Sequence, residues 1–578
     1  MATSSVVAVL YTALISSLLQ EQSAPGTGGQ LNGVLVSVSS GQLEGVRRTL
    51  TTGQYVHEFK GIPYAQPPTG ALRFAAPKPP LPWSGVKDAS RLGNHCQQDE
   101  KKGILTNLTS MSEDCLYLNI YSPSPAPVRA SPSSALLPVM VWIHGGGFYL
   151  GAGSDYDGSI LATQGQVVVV TLNYRLGALG FLSTEDDVIP GNFGLLDQVM
   201  ALKWVRLNIR HFGGDPGQVT VLGQSAGGHS VSLLALSPLA TGLFHRVIIQ
   251  SGASISPSSI SRTSDAVSPR EAASKLGIKI GCLRQDSSSL LSCLRSKPVE
   301  EIRNADLATF AEAEADYTLI LLWKPRVDGP SGFLPEDPTV LLSRGLFADV
   351  DTMHGFCAEE MGILINDTED DGVTLAEFKE TLLSILSPYK INDKPHIAEQ
   401  VVATFLRGVT SPIERRSRLI QIASDFQMAA PITHEVDTIV NSITATFSTS
   451  PLVKRHFLYR FSYRGSMHPQ YPAWTGVPHG SEVPFVFGLP QETQSVWFVN
   501  HQATPTDKKV SELVVKIWSN FAKYGHPTRQ FQVQPSPSWP EYTRSQRLIL
   551  DITENLAVQS LDWTEQDGVY QLMNKRLF

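Results

Sequence analysis

Apolar runs bounded by glycine and small polar residues give the first structural signals in this chain. Pro138-Val139-Met140-Val141-Trp142-Ile143 reads as a buried strand and runs straight into His144-Gly145-Gly146-Gly147-Phe148. Val219-Thr220-Val221-Leu222 reads as a second, short strand, followed by Gly223-Gln224-Ser225-Ala226-Gly227 and a small-residue, helix-compatible stretch to Leu236. Near the far end, Val510, Leu513, Val514, Ile517, Trp518 and Phe521 recur at helical spacing, with Gly525 and Pro527 just past the stop. That stripe reads as core-facing rather than as a partner-binding amphipath. Val6 to Leu19 is an uncharged apolar run of signal-peptide length, followed by Gln20-Glu21-Gln22-Ser23 and Pro25, and too short to span a bilayer comfortably. Residues 1–24 are therefore expected to be a leader, with an anchor or a disordered tail as the alternatives. Residues 25–578 are expected to form a single domain, since no long linker and no internal repeat divides them.

The chemistry concentrates where those strands end. A strand that turns sharply into a helix strains its central residue and pushes that side chain out of the sheet edge, so Ser225 is a candidate nucleophile. The Ala226 N–H would lie at a helix N-terminus, able to face an anion. Three successive glycines leave backbone N–H groups uncovered, as an oxyanion hole requires. A flexible turn and a phosphate cradle are the competing readings, and the absence of a following Lys-Ser/Thr disfavours the cradle. Downstream lie two loop-like stretches, Gly355 to Gly362 and Gly476 to Glu482. The second supplies His479, one of 14 histidines, whose side-chain type can take and return a proton near neutral pH. The first supplies Glu359 and Glu360, which side-chain chemistry alone does not separate.

These motifs resemble the type-B carboxylesterase/cholinesterase family. The resemblance is carried by Phe59 to Ala65, Leu72-Arg73-Phe74, Ser112 to Asn119, His144 to Phe148, Asn173-Tyr174-Arg175, Asn192 to Gln198, Phe212 to Pro216, the Ser225 pentapeptide, and Val477 to Gly488. It implies an α/β-hydrolase fold: a large central, mostly parallel twisted sheet flanked by helices, with long loop insertions around the active site. It implies Ser225 as nucleophile, Glu360 as acid because a residue-Gly pair follows it, His479 as base, and Gly146, Gly147 and Ala226 as oxyanion donors. It further implies scaffold ion pairs Arg73 with Glu113 and Arg175 with Asp197, and disulfides Cys96–Cys115 and Cys282–Cys293. Cys357 is left over, and reads as a small buried hydrophobe rather than a redox group.

Composition changes the picture little. Hydrophobic residues at 42% suffice for a large core, and a net charge of −7 without a basic stripe argues against nucleic acid. No basic cluster or later apolar stretch suggests a stable membrane anchor, and the terminal Asn574 to Phe578 is not an ER-retention address. Paired cysteines and a leader make secretion the expectation. Asn107 and Asn366 head glycosylation sequons. The Pro/Ser-rich segments Ser122 to Ser134 and Ser254 to Pro269 read as surface loops. No H-E-x-x-H, C-x-x-C or dinucleotide fingerprint appears, so no metal or cofactor is expected.

The expected reaction is two-step acyl transfer on a small-molecule carboxylic ester. Leu105 stands where cholinesterases place their choline-binding tryptophan, and Ile363 and Leu364 where they place aromatics after the acid. Aliphatic side chains lack the ring quadrupole that holds a quaternary ammonium, so neutral acyl esters are expected over choline esters. Gln224, where most of the family has glutamate, points the same way and also resembles the juvenile-hormone-esterase branch. Leu319 and Leu321 are candidates for the acyl pocket. A catalytically dead, neuroligin-like adhesion protein is the rival reading, disfavoured by the intact serine, acid and histidine. The oligomeric state and the roles of Ser251 and Glu482 stay open.

Overall fold

The computed structural model describes residues 33–100, 110–124, 136–282, 286–316, 321–388, 390, 392–446, 454–466, 471–491, 502–528 and 538–561. The leader (1–24), Leu105, Asn107 and Leu319 lie outside them. Thirteen strands among the described residues join in one sheet: β1 (Gly33–Val38), β2 (Gly41–Thr49), β3 (Tyr55–Pro63), β4 (Val86–Asp88), β5 (Tyr117–Ser122), β6 (Leu137–Ile143), β7 (Val168–Leu172), β8 (Gly214–Gln224), β9 (Arg246–Gln250), β10 (Asp351–Cys357), β11 (His456–Phe461), β12 (Leu548–Ile552) and β13 (Leu556–Ser560). Their order is β1-β2-β3-β5-β7-β6-β8-β9-β10-β11-β12-β13, with β4 beside β2. From β7 to β12 every neighbouring pair is parallel. The pairs from β1 through β5 to β7, and the last pair β12–β13, are antiparallel.

The parallel strands are apolar at consecutive positions because the sheet is covered on both faces. In β6, Val139, Val141 and Ile143 enter one core, while Met140 and Trp142 enter the other. The helices Phe193–Asn208 and Ala226–Leu236 contribute Val199, Leu202, Val231 and Leu234 to the first core. The second core is capped by the helix Pro505–Tyr524, which buries Val510, Val514, Ile517, Trp518 and Phe521 and ends at Gly525 in a left-handed turn. That is the helix the periodicity predicts, extended by one turn at its start through a Thr504/Asp507 capping box. The α/β arrangement expected from the motifs is present.

Sheet order places the site. The chain leaves β6 toward β7 on one side and returns to β8 on the other, so the carboxyl ends of β6 and β8 flank a topological switch point, where open α/β sheets form their ligand crevices. His144 to Gly147 leave the end of β6, and Ser225 leaves the end of β8.

Ser254 to Pro269 corrects the surface-loop expectation, being irregular in backbone but largely interior. Ser254, Ser256 and Ser259 are fully buried, and the Ser254 backbone N–H donates to the buried Glu435 carboxylate at 2.7 Å. Short hydroxyl side chains can line an interior when carboxylates and carbonyls accept from them. Ser122, heading the other segment, closes β5 and donates to Phe212 O at 2.8 Å, while 125–134 fall outside the described residues.

Two expected ion pairs knit the loops to this frame. The Arg73 guanidinium meets Glu113 at 2.6 Å, and Arg175 meets both carboxylate oxygens of the fully buried Asp197 at 2.8 Å. Disulfides join Cys96 to Cys115 and Cys282 to Cys293, and Cys357 is free and buried.

Candidate active site

Ser225 sits at φ 60°, ψ −125°, between the last residue of β8 and the first turn of the helix Ala226–Leu236. A non-glycine residue holds such angles only where its surroundings over-determine them. Here the Ser225 N–H donates to Gln250 O at 3.0 Å, and its carbonyl accepts from His229 N–H at 2.8 Å. Gly227 makes the tight turn possible: a Cβ there would stand 2.0 Å from Ile143 O, so the helix packs on β6 only without a side chain.

The glycine loop after β6 lies directly against this turn. A Cβ on Gly145 would be 3.0 Å from Ser225 Cβ and 2.8 Å from Gln224 O. Gly146 has φ 108° and Gly147 φ 61°, and a Cβ on Gly146 would collide with Leu150 O at 2.0 Å. Two supports hold this loop, and the second carries no motif signal. The His144 ring stacks on Tyr174 with centroids 4.4 Å apart, and burial lowers its pKa to about 4, so it is a neutral prop. Gln98 spans the gap from the Cys96–Cys115 segment, accepting from Gly151 N–H at 2.9 Å and donating to Gly151 O at 3.1 Å.

His479 and the acidic pair arrive from the other side of β8. His479 follows β11 in sequence, and its backbone N–H donates to Glu360 O at 3.1 Å. Its Nδ1 lies 2.5 Å from Glu360 Oε2. Glu360 Oε1 accepts from Ser251 Oγ–H at 2.6 Å and from Cys357 N–H at 2.7 Å, so the carboxylate is fixed on both oxygens. Glu359, which residue chemistry left equivalent, faces away and accepts from Val477 N–H at 2.8 Å, anchoring the histidine loop instead. Ring Nε2 stands 3.1 Å from Nε2 of Gln224, the residue adjoining Ser225. The structure thus brings the 225, 360 and 479 segments to one place.

The electrostatics follow from burial and two carboxylates. Burial alone would lower the His479 pKa, but the charge and hydrogen bond of Glu360, aided by Glu482, outweigh it and raise the value. Glu482 is itself buried and pushed upward, first by desolvation and then by Glu360, while accepting from Gln250 at 3.0 Å. The Cys357 thiol donates to Glu482 at 3.1 Å and is held far above its ordinary pKa by burial and both glutamates, which keeps it an unreactive thiol.

Beyond Gly146 and Gly147 opens a narrow cleft. Leu179, Ile302, Phe310 and Leu321 give it apolar walls, and Asp306, raised to about 6 by burial, is tied to Ala178 N–H at 2.9 Å and to Trp323. Leu321 Cδ2 would be 3.2 Å from a Cβ on Gly147, so it stands next to the glycine loop. Ile363 is buried and Leu364 partly buried in a short 3-10 turn just after Glu360, and Asn366 is exposed.

A serine on a strained turn, a glycine loop across from it and a histidine backed by a carboxylate together suit attack on a carbonyl carbon. Known proteins point to the same chemistry. The model of the carboxylesterase family matches residues 32–569. The chain is 36% identical over 510 residues to pyrethroid hydrolase Ces2e of Rattus norvegicus, covering 86% of this chain and 82% of that one. It is 35% identical over 528 residues to the medium-chain fatty acyl-CoA hydrolase precursor of Anas platyrhynchos, covering 87% and 86%. It is also 34% identical over 548 residues to human neuroligin-2, covering 87% of this chain but 62% of that longer protein. With a match running nearly end to end and hydrolases among its relatives on a shared α/β-hydrolase frame, the chain belongs to the carboxylesterase family and is a carboxylic ester hydrolase.

Proposed function

We propose that Ser225 attacks the ester carbonyl while His479 takes its proton, and that Gly146, Gly147 and Ala226 hold the tetrahedral oxyanion. Glu360 fixes the proton on Nδ1 and steadies the imidazolium that forms. Collapse expels the alcohol, protonated by His479, and water clears the acyl-enzyme by the same route. The observation that carries this reading is the His479 Nδ1 to Glu360 contact of 2.5 Å on a ring whose other nitrogen faces Gln224, the neighbour of Ser225. The substrate side favours neutral acyl esters, because Leu150, Leu176, Leu179, Ile302, Leu307 and Leu321 give the cleft beside Gly147 a largely aliphatic wall, with Tyr149 and Phe310 as its aromatic rings and Asp99, Arg303 and Asp306 as its charged members. A relative named as a pyrethroid hydrolase supports that preference, and one named as a medium-chain fatty acyl-CoA hydrolase supports an aliphatic acyl group. Two disulfides, together with the leader-like residues 1–24, support export to an oxidising compartment, with Asn366 as an exposed glycan acceptor.

The test is turnover of p-nitrophenyl acetate and butyrate against acetylthiocholine by wild type and Ser225→Ala. Neutral esters are expected to be preferred, and the alanine variant to lose at least roughly ten-thousand-fold. A preference for the choline ester overturns the substrate assignment. Unchanged turnover by Ser225→Ala overturns the nucleophile, and no turnover by wild type favours a neuroligin-like binding role.

A further inference from the structure

Gln224 both adjoins the serine and touches the proposed base. It is 7% exposed at the end of β8, and its amide lies between two glycines. A Cβ on Gly145 would be 3.0 Å from its Oε1, and one on Gly480 would be 3.6 Å from its Nε2. The amide is thus slotted between the glycine loop and the histidine loop, with Nε2 3.1 Å from His479 Nε2.

The state of the ring decides what that contact is. A carboxylate only accepts, so the ring proton lies on Nδ1, toward Glu360, and the neutral ring offers a lone pair at Nε2. Only the NH₂ end of Gln224 can bond that lone pair. Once Nε2 carries a proton, NH₂ faces N–H, and the contact turns repulsive until the amide rotates or withdraws. Gln224 therefore stabilises the neutral ring, against the charges that favour the imidazolium. Those charges are Glu360 at Nδ1 and Glu482 on the ring's own loop. His229, on the helix behind the serine, also interacts with the ring, and burial holds it neutral with a pKa of about 4.

We propose that Gln224 is a positioning residue for the base: its amide N–H bonds Nε2 of resting His479, keeps the imidazole unprotonated and fixes that nitrogen beside Ser225. This rests on the reading of His479 as base. In the first step the serine O–H proton moves to Nε2 as the Oγ–carbonyl carbon bond forms, and the Gln224 N–H yields the lone pair at that moment.

The experiment compares wild type with Gln224→Glu and Gln224→Met, both of similar length. Each is followed by the pH dependence of kcat/KM on p-nitrophenyl butyrate. Each is also followed by NMR titration of ¹³C-labelled His479 in a Ser225→Ala background, assigned with His479→Gln. Glutamate places an acceptor charge at Nε2 and is expected to raise the acid limb and the NMR midpoint by about one pH unit. Methionine removes the donor and is expected to raise both by about half a unit. A midpoint left unchanged or lowered by methionine overturns the proposal, whatever glutamate does. The NMR arm needs no turnover, so loss of the esterase mechanism would show separately, as catalysis independent of Ser225.

Discussion

Replacing Glu360 by glutamine keeps the shape of the site and inverts one hydrogen bond. Oε1 accepts from two donors, Ser251 Oγ–H at 2.6 Å and Cys357 N–H at 2.7 Å. The backbone donor cannot turn into an acceptor, so the oxygen of the substituted amide must take the Oε1 position. The amide NH₂ then faces His479 Nδ1 across the 2.5 Å now spanned by a carboxylate. Nδ1 becomes an acceptor, the ring proton moves to Nε2, and the ring can no longer take a proton from Ser225. The wrong tautomer is expected to lower kcat by about ten-thousand-fold, or about 5.4 kcal/mol in activation free energy. Because the Ser251 and Cys357 donors stay satisfied, thermal stability should change little. Glu359→Gln is the internal control: its oxygen can still accept from Val477 N–H, so activity should stay within about tenfold of wild type. The assay is kcat and KM on p-nitrophenyl butyrate from pH 6 to 9, with melting curves for each variant. A Glu360→Gln enzyme within tenfold of wild type, with the same pH profile, would refute the reasoning.

Two further outcomes follow from buried charges. The His479 pKa is raised above the ordinary 6.5 because Glu360 and Glu482 outweigh burial, and in the proposed role of base the ring works only when neutral. Activity should therefore fall as pH drops through a value above 6.5, and an acid limb below 6 in kcat/KM would contradict it. Arg175→Met leaves the fully buried Asp197 carboxylate without its two guanidinium donors, at an expected cost of about 3–5 kcal/mol in stability. Asp197 is pushed upward mainly by burial, so in that variant protonation relieves the strain, and melting temperature should drop more at pH 8 than at pH 5.

What could be read directly from the chain was local. The turn at Ser225 is specified by its flanking glycines and the apolar run before it, because the backbone angles of a tight turn depend on a few adjacent residues. The helix Pro505–Tyr524 shows in its spacing for the same reason, a repeat set by helix geometry alone. The two scaffold ion pairs came from resemblance to a family, which also paired the cysteines in the way their closeness along the chain allows.

Contacts across the sheet were not legible in this way. Glu359 and Glu360 are adjacent and chemically alike, yet one anchors the Val477 backbone and the other meets the His479 ring. Which does which depends on the turn after β10 and on β11 lying beside it. Ser254 to Pro269 looked like a solvated loop by composition, and became interior only because Glu435, far along the chain, arrives to accept from it. Sequence by itself determined the strained serine, the glycine loop and the periodic elements, since short-range sterics and side-chain spacing act within one segment. Tertiary structure alone decided which carboxylate faces the histidine and that Gln224 meets its far nitrogen, because segments more than a hundred residues apart are brought together by strand order, which no single segment encodes.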